Sequence, residues 1–381
     1  MIAYGKQFID NDDIAAVTAV LQSDFLTQGP KVTEFEKAIC DYTGAKYCVA
    51  VANGTAALHI AVGALELPSG SEGITSPITF AASANSMAYC GVKPVFADID
   101  PVSYNISPSF VQQKITSETK LMTPVHFAGQ PAEMEKLSAI AGKNGIKVIE
   151  DAAHAIGSKY KDGSFVGNCK YSDMTIFSFH PVKTITTGEG GAVTTNDPEL
   201  YKRLLLFRSH GITKDNSILL QNPGPWYYEM HELGFNYRLT DIQAALGISQ
   251  LAKVEKFCAR RRQIVSLYNK EFAECPWFKI PVEAEGVRSC FHLYVLQIDF
   301  EKIHKTRASV MKELLEKGIG TQVHYIPVNT QPWYVKTYNY GLGDCPNADA
   351  YYEKALSLPL YPAMSDADIQ SVIHAIKGLV K

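Results

Sequence analysis

The chain has 381 residues, with 36 Lys plus Arg against 39 Asp plus Glu, long enough for one large domain and a smaller one. The near-balanced charge, without a long run of either sign, gives no electrostatic reason for a nucleic-acid or membrane partner and favours a small soluble substrate. The start "MIAYGKQFIDNDDIAAV" has no basic segment leading into an apolar one, and nowhere do about 18 apolar residues run together, so a cytoplasmic location is expected.

In chain order, "GTAALHIAVGAL" is small and apolar at helical spacing. "GVKPVFADID", "KVIEDAAH", "DMTIFSF" and "GAVTTND" are short, strand-like and end in polar residues. Helical stretches such as 132–144 separate them, which predicts an α/β domain on a mostly parallel sheet with ligands at the carboxyl ends of its strands. Beyond residue 250 come a long helical stretch, "LAKVEKFCARRRQIVSLYNKEFAE", a strand-like "FHLYVLQIDF", a helix "RASVMKELLEKG", a strand-like "TQVHYIP" and a last helix from about Asp366. The expected division is a large domain over residues 1–250 and a smaller α+β domain over 251–381. Eight scattered cysteines with no C-x-x-C pair read as reduced thiols, not as zinc ligands or a disulfide framework.

Four segments carry candidate chemistry. In "VANGTAALHIAV", Gly54 and Thr55 open a helix whose free N–H groups and positive dipole end would stabilise a phosphate, although such a start is more often only a cap. "KVIEDAAHAIG" ends a strand in Glu150 and Asp151, with His154 three residues on. A carboxylate there either caps the next turn or keeps a proton on a heteroaromatic nitrogen, the condition an electron sink requires.

"FSFHPVKTITTGEGG" places Lys183 between a His-Pro segment and a glycine-rich turn, five residues after Ser178. A lysine is ordinarily a solvated surface charge. Here the spacing suits a hydroxyl on the phosphate of a cofactor whose aldehyde the lysine binds, and Gly188, Gly190 and Gly191 allow close backbone approach. Neither a P-loop spacing nor a G-x-G-x-x-G after the first strand is present. In "ELGFNYRLTDIQAALG", Asn236 and Arg238 precede an amphipathic helix, and nothing local separates ligand contacts from a turn residue and a surface charge.

Taken in order, "NGTAALH", "SPITFAASAN", "EDAAHAIG", "SFHPVKTITTGEGG" and "GFNYRLTDIQAALG" resemble the sugar-nucleotide aminotransferases related to the DegT, DnrJ, EryC and StrS proteins, over essentially the whole chain. The resemblance implies an aspartate-aminotransferase-like fold (fold type I), with a seven-stranded, mostly parallel sheet in the large domain and a smaller α+β domain. It implies pyridoxal 5′-phosphate bound covalently to Lys183, Asp151 at the pyridine nitrogen, His154 at the phenolic oxygen and Phe80 stacked on the ring. Gly54, Thr55 and Ser178 would contact the phosphate, joined by Asn236 from the other subunit of a homodimer with shared active sites. For a sugar nucleotide it points to Tyr4, to Asp24, Phe25, Leu26 and Thr27, to Arg238, and to His324 with Tyr325. That last pair also reads as part of a half-buried strand with one polar face.

Finer features, "AYGKQFIDNDDIAAV", "SDFLTQGPKV", "RSHGITKD" and "VHYIPVNTQPWY", are similar to the branch of the family that aminates UDP-2-acetamido-2,6-dideoxy-β-L-arabino-hex-4-ulose in pseudaminic acid biosynthesis. The implied reaction moves the amino group of L-glutamate to C4 of that sugar, with Lys183 carrying the proton. The alternatives are an aminotransferase for a GDP- or dTDP-linked keto sugar, a sugar dehydratase, in which His replaces the lysine present here, and a cofactor-binding regulator without turnover. No metal is expected.

Overall fold

Short β-branched and apolar runs bounded by Gly, Pro or Asp become the strands of the computed structural model, which describes residues 1–380. Seven of them are β1 (Tyr47–Val51), β2 (Glu72–Thr75), β3 (Lys93–Phe96), β4 (Thr119–Thr123), β5 (Lys147–Asp151), β6 (Met174–Ser178) and β7 (Gly191–Thr195). They form one sheet in the order β1-β7-β6-β5-β4-β2-β3. Strands β6, β5, β4, β2 and β3 are parallel to their neighbours, and β7 runs antiparallel between β1 and β6. This is the mostly parallel sheet expected, and its strands are buried along nearly their whole length because helices cover both faces.

The covering helices are α1 (Asn11–Leu21), α2 (Pro30–Thr43), α3 (Gly54–Ala64), α4 (Ala82–Tyr89), α5 (Pro108–Lys114), α6 (Met134–Asn144), α7 (Pro198–Arg208) and α8 (Asp241–Leu251). One apolar cluster gathers Phe35, Phe177, Phe179 and Leu239, and another Ala57, Ile60, Ile176 and Val193. A short hairpin, β8 (Ile212–Thr213) with β9 (Glu229–Met230), projects between α7 and α8. Then α9 (Val254–Phe272) leads to an antiparallel sheet of β10 (Phe278–Lys279), β11 (Tyr294–Ile298) and β12 (Ala355–Leu358). Tyr268, Phe272, Tyr294 and Ile373 form its core, against which Ile2 packs. Ile78, Phe96, Phe127, Val295 and Tyr351 make a fourth cluster that joins this part to the large sheet.

Two expectations are corrected. The long helical stretch is present as α9 but starts at Val254 and not at Leu251, where α8 stops. The break leaves Lys253 free to reach Asp10 at 2.5 Å and Asp13 at 2.9 Å, tying the joint to α1. Nor is "TQVHYIP" a strand. Gln322 and Ser357 exchange backbone hydrogen bonds of 3.2 and 2.7 Å, after which the Tyr351 hydroxyl takes the His324 carbonyl at 2.6 Å and the ladder ends. All eight cysteines are free, and among the described residues no helix is long and apolar enough to cross a membrane and no metal-ligand cluster occurs.

Candidate active site

The loop from Ser178 to Gly191 closes on itself. Phe179 N–H donates to Gly190 O at 2.8 Å, its carbonyl accepts from Thr187 N–H at 3.0 Å and from the Thr186 hydroxyl at 2.9 Å, and Lys183 N–H donates to His180 O at 2.9 Å. Thr184 to Thr187 are buried and Lys183 is half-buried, so the lysine sits in a closed turn and not on an open helix face. Burial lowers its ammonium from the ordinary 10.5 to about 8, opposed by the Asp151 carboxylate. At pH 7 about a tenth of this amine is then unprotonated, far more than for an ordinary lysine.

Asp151 ends β5, buried, with Oδ2 accepting from the Ser83 hydroxyl at 2.6 Å and Oδ1 from Ala153 N–H at 3.1 Å. Ser83 lies on α4 and meets the Thr79 hydroxyl at 2.7 Å, so the carboxylate is oriented from outside its own strand. The carboxylate and the lysine come from neighbouring strands, β5 and the end of β6, because those strands pair in parallel.

The start of α3 lies against the end of β6. A Cβ at Gly54 would fall 2.8 Å from Ser178 Cβ and 3.1 Å from its Oγ, and one at Gly191 would fall 2.5 Å from Asn53 O. Only residues without side chains let these three segments meet. Asn53 Oδ1 caps Ala56 N–H at 2.8 Å, which leaves Gly54, Thr55 and Ser178 around the positive end of the helix, where an anion is stabilised.

Aromatic residues form the wall. His154 Nε2 and the Tyr325 hydroxyl are 3.1 Å apart, their rings inclined by 21°, while His154 Nδ1 is buried without a partner. Phe80 is 62% exposed, 6.4 Å from the Tyr325 ring, a large apolar face left open beside buried polar groups. His324 Nδ1 meets Ser357 Oγ at 2.8 Å, and its ring lies 5.4 Å from that of Tyr4. Burial, with a smaller contribution from Lys183, lowers His324 to about 3; burial, then Lys183 and His324, holds His154 well below the ordinary range. Both imidazoles are neutral hydrogen-bonding groups at physiological pH.

The remaining candidates are only partly assembled. Asn236 is exposed, its backbone bridged to Ser209, and Arg238 is half-buried, its backbone bridged to Val51 at the entrance to α3. Asp24, Phe25, Leu26 and Thr27 are all exposed; Thr27 pairs with Thr240, and Asp241 accepts from the N–H groups of Gly29 and Lys31 at 2.8 Å each, which ties that segment to α8 and not to Lys183. Ser83, His126 and His292 were not anticipated. His292 is buried, its ring 4.4 Å from that of His154, and no local pattern in "FHLYVLQIDF" marks it.

The arrangement can hold a planar, phosphorylated aldehyde: it combines an anion cradle, a buried carboxylate, an unpartnered ring nitrogen, an open aromatic face and an amine of lowered basicity, with Lys183 near enough to Asp151, His154 and His324 for their charges to interact. The chain matches the model of the DegT/DnrJ/EryC1/StrS aminotransferase family over residues 7–377. It is 41% identical over 381 residues to the spore coat polysaccharide biosynthesis protein SpsC of Bacillus subtilis, covering 100% of this chain and 97% of that one. It is 39% identical over 386 residues to the UDP-4-amino-4,6-dideoxy-N-acetyl-beta-L-altrosamine transaminase of Campylobacter jejuni, covering 100% and 98%. Among solved structures, Helicobacter pylori PseC, an aminotransferase involved in the biosynthesis of pseudoaminic acid, matches with a TM-score of 0.92 at 32% identity, covering 100% of this chain and 99% of that one. The PLP form of the sugar aminotransferase Spr1654 of Streptococcus pneumoniae matches with a TM-score of 0.91 at 30% identity, covering 100% and 98%. With a family match across nearly its whole length and a site of this chemistry, the chain belongs to the DegT/DnrJ/EryC1/StrS aminotransferase family and is a PLP-dependent transaminase.

Proposed function

We propose that the enzyme transfers the amino group of L-glutamate to C4 of UDP-2-acetamido-2,6-dideoxy-β-L-arabino-hex-4-ulose, a step of pseudaminic acid biosynthesis, with pyridoxal phosphate held covalently by Lys183. The observation that carries the chemistry is Lys183 itself, an amine lowered to about 8 by burial and set close enough to feel the Asp151 charge. The likeness to the Campylobacter and Helicobacter proteins supports the substrate.

When bound, pyridoxal phosphate supplies an electron sink for charge developing at the donor's α-carbon. Asp151 keeps the ring nitrogen protonated, oriented by Ser83. Gly54, Thr55 and Ser178 hold the phosphate, Phe80 covers the ring, and His154 offers its ring nitrogens to the phenolic oxygen and to Tyr325. Lys183 would bind the cofactor's aldehyde and, once the donor's amino group has displaced it, its Nζ of lowered basicity would be the base available to the donor's α-proton. Tyr4, His324 and Tyr325 line the sugar side, with Arg238 and the segment Asp24–Thr27 toward the nucleotide.

The enzyme acts as a cytoplasmic homodimer, with Asn236 reaching the phosphate of the partner's site and the chain divided near residue 250 into two domains. Exposed Trp226 (71%), Met230 (64%) and Leu233 (81%) around the β8–β9 hairpin support burial of that face against a second copy. A second reading, another nucleotide keto sugar, is favoured by the 41% identity to a spore-coat polysaccharide protein. Incubation with glutamate and a panel of UDP-, GDP- and dTDP-linked 4-keto-6-deoxy sugars separates the two. Amination confined to GDP or dTDP sugars would refute the pseudaminate assignment and leave the transaminase intact.

A further inference from the structure

Glu150 precedes Asp151 on β5, and because neighbouring strand residues face opposite ways its carboxylate lies on the hidden face of the sheet. It is completely buried, and it is satisfied by four donors: the Tyr160 hydroxyl at 2.5 Å and His126 Nε2 at 2.8 Å on Oε2, the Ser172 hydroxyl at 2.6 Å and the Thr175 hydroxyl at 3.2 Å on Oε1. His126 Nδ1 accepts from Ala132 N–H at 3.0 Å, so that nitrogen carries no proton and Nε2 does. The close pair with Glu150 is therefore a neutral imidazole donating to a carboxylate. Among the described residues no Lys or Arg lies within ion-pair distance of it.

Burial pushes the Glu150 carboxyl upward, and the hydrogen bonds from His126, Ser172 and Tyr160 pull it down. A buried negative charge without a cation is costly, and the four hydrogen bonds are what offset that cost. His126 also grips the neighbouring residue, since its backbone N–H donates to Asp151 O at 3.0 Å, while Asp151 N–H donates to Pro124 O at 2.9 Å. One residue thus holds Glu150 by its ring and Asp151 by its backbone N–H.

We propose that Glu150 is a positioning residue for the transamination: clamped by His126, it fixes the strand end that bears Asp151 and places a second negative charge behind that carboxylate, strengthening its hold on a cationic ring. The inference rests on the role proposed above for Asp151. The groups facing Glu150 are His126, Tyr160, Ser172, Thr175 and Cys169, and those facing the cleft are Asp151, Lys183, His154, His292, His324 and Tyr325.

Glu150→Gln isolates the charge. Its amide NH₂ can turn toward Ser172 and Thr175, whose hydroxyls rotate to accept, while its oxygen keeps His126 and Tyr160. In the loaded enzyme, the pH midpoint of the cofactor's visible absorption should fall by about one unit, the size of an unpaired charge about 10 Å away at an effective dielectric of about 20. The half-reaction with L-glutamate should slow about tenfold, the rate equivalent of one such unit. Tyr160→Phe loosens the same cluster but keeps the charge, and should leave the absorption midpoint in place. The proposal is overturned by an unshifted midpoint in Glu150→Gln, by an equal shift in Tyr160→Phe, or by failure of Glu150→Gln to fold, since the last would mean that more than charge was lost. A wrong assignment of Lys183 would appear separately, as a wild-type enzyme without a borohydride-trapped cofactor on that residue.

Discussion

Replacing Lys183 by methionine keeps an unbranched side chain, one atom shorter, and removes a charge that the fold holds at a cost. In the unfolded chain the ammonium has its ordinary value of 10.5, and in the folded chain burial lowers it to about 8. At about 1.4 kcal/mol per unit, that difference is about 3 kcal/mol of destabilisation. The sign follows from proton counts. Below pH 8 both states carry the proton and the cost is fully present; between about 8 and 10.5 the unfolded state binds more protons, so stability rises with pH and the cost fades. Cofactor-free Lys183→Met should therefore be more stable than cofactor-free wild type at pH 7, by about 2–3 kcal/mol, and nearly equal to it at pH 10.5, while losing transamination. Urea unfolding of both proteins at the two pH values, with the cofactor removed so that its binding does not contribute, measures this directly. A variant less stable than wild type at pH 7, or a difference that does not change with pH, would refute the assignment of a desolvated amine.

Asp151→Asn keeps shape and the Ser83 contact but removes the charge; cofactor should stay bound while the half-reaction with glutamate falls by about two to three powers of ten, as for loss of one preorganised electrostatic group, and an unchanged rate in stopped flow would leave Asp151 only as a cap. Gly54→Ala puts a methyl 2.8 Å from Ser178 Cβ, so cofactor affinity should drop about ten- to a hundredfold, the scale of one overpacked contact, with affinity equal to wild type in a fluorescence titration counting against the cradle. Lys183→Ala and Asn236→Ala homodimers should each be weak or inactive, and refolding them together should restore about a quarter of wild-type activity, because random pairing makes half the dimers mixed, each with one intact site. Subunit exchange verified by a tag, without recovery, would place Asn236 in its own subunit's site or in none.

The residues proposed to carry the chemistry are marked in the sequence because their constraints are local. A strand end with two carboxylates, a Gly-Thr helix start, and a lysine between His-Pro and Gly-Glu-Gly-Gly each act within a few residues of backbone, and the alternation of short β-branched runs with helical periods specifies the parallel sheet that lines their ends up. Family resemblance added the roles that such patterns leave open. What tertiary structure alone decided are pairings across long stretches of chain. Ser83 meets Asp151 68 residues away, Asp241 holds Gly29 212 residues away, and His126 clamps Glu150 24 residues on. None of these leaves a periodic mark, since a hydrogen bond needs one donor and one acceptor at one place and imposes nothing on the residues between. "TQVHYIP" shows the same limit from the other side: its alternation is that of a strand, but only Gln322 pairs with Ser357, and the Tyr351 hydroxyl donates to the His324 carbonyl that a ladder would use.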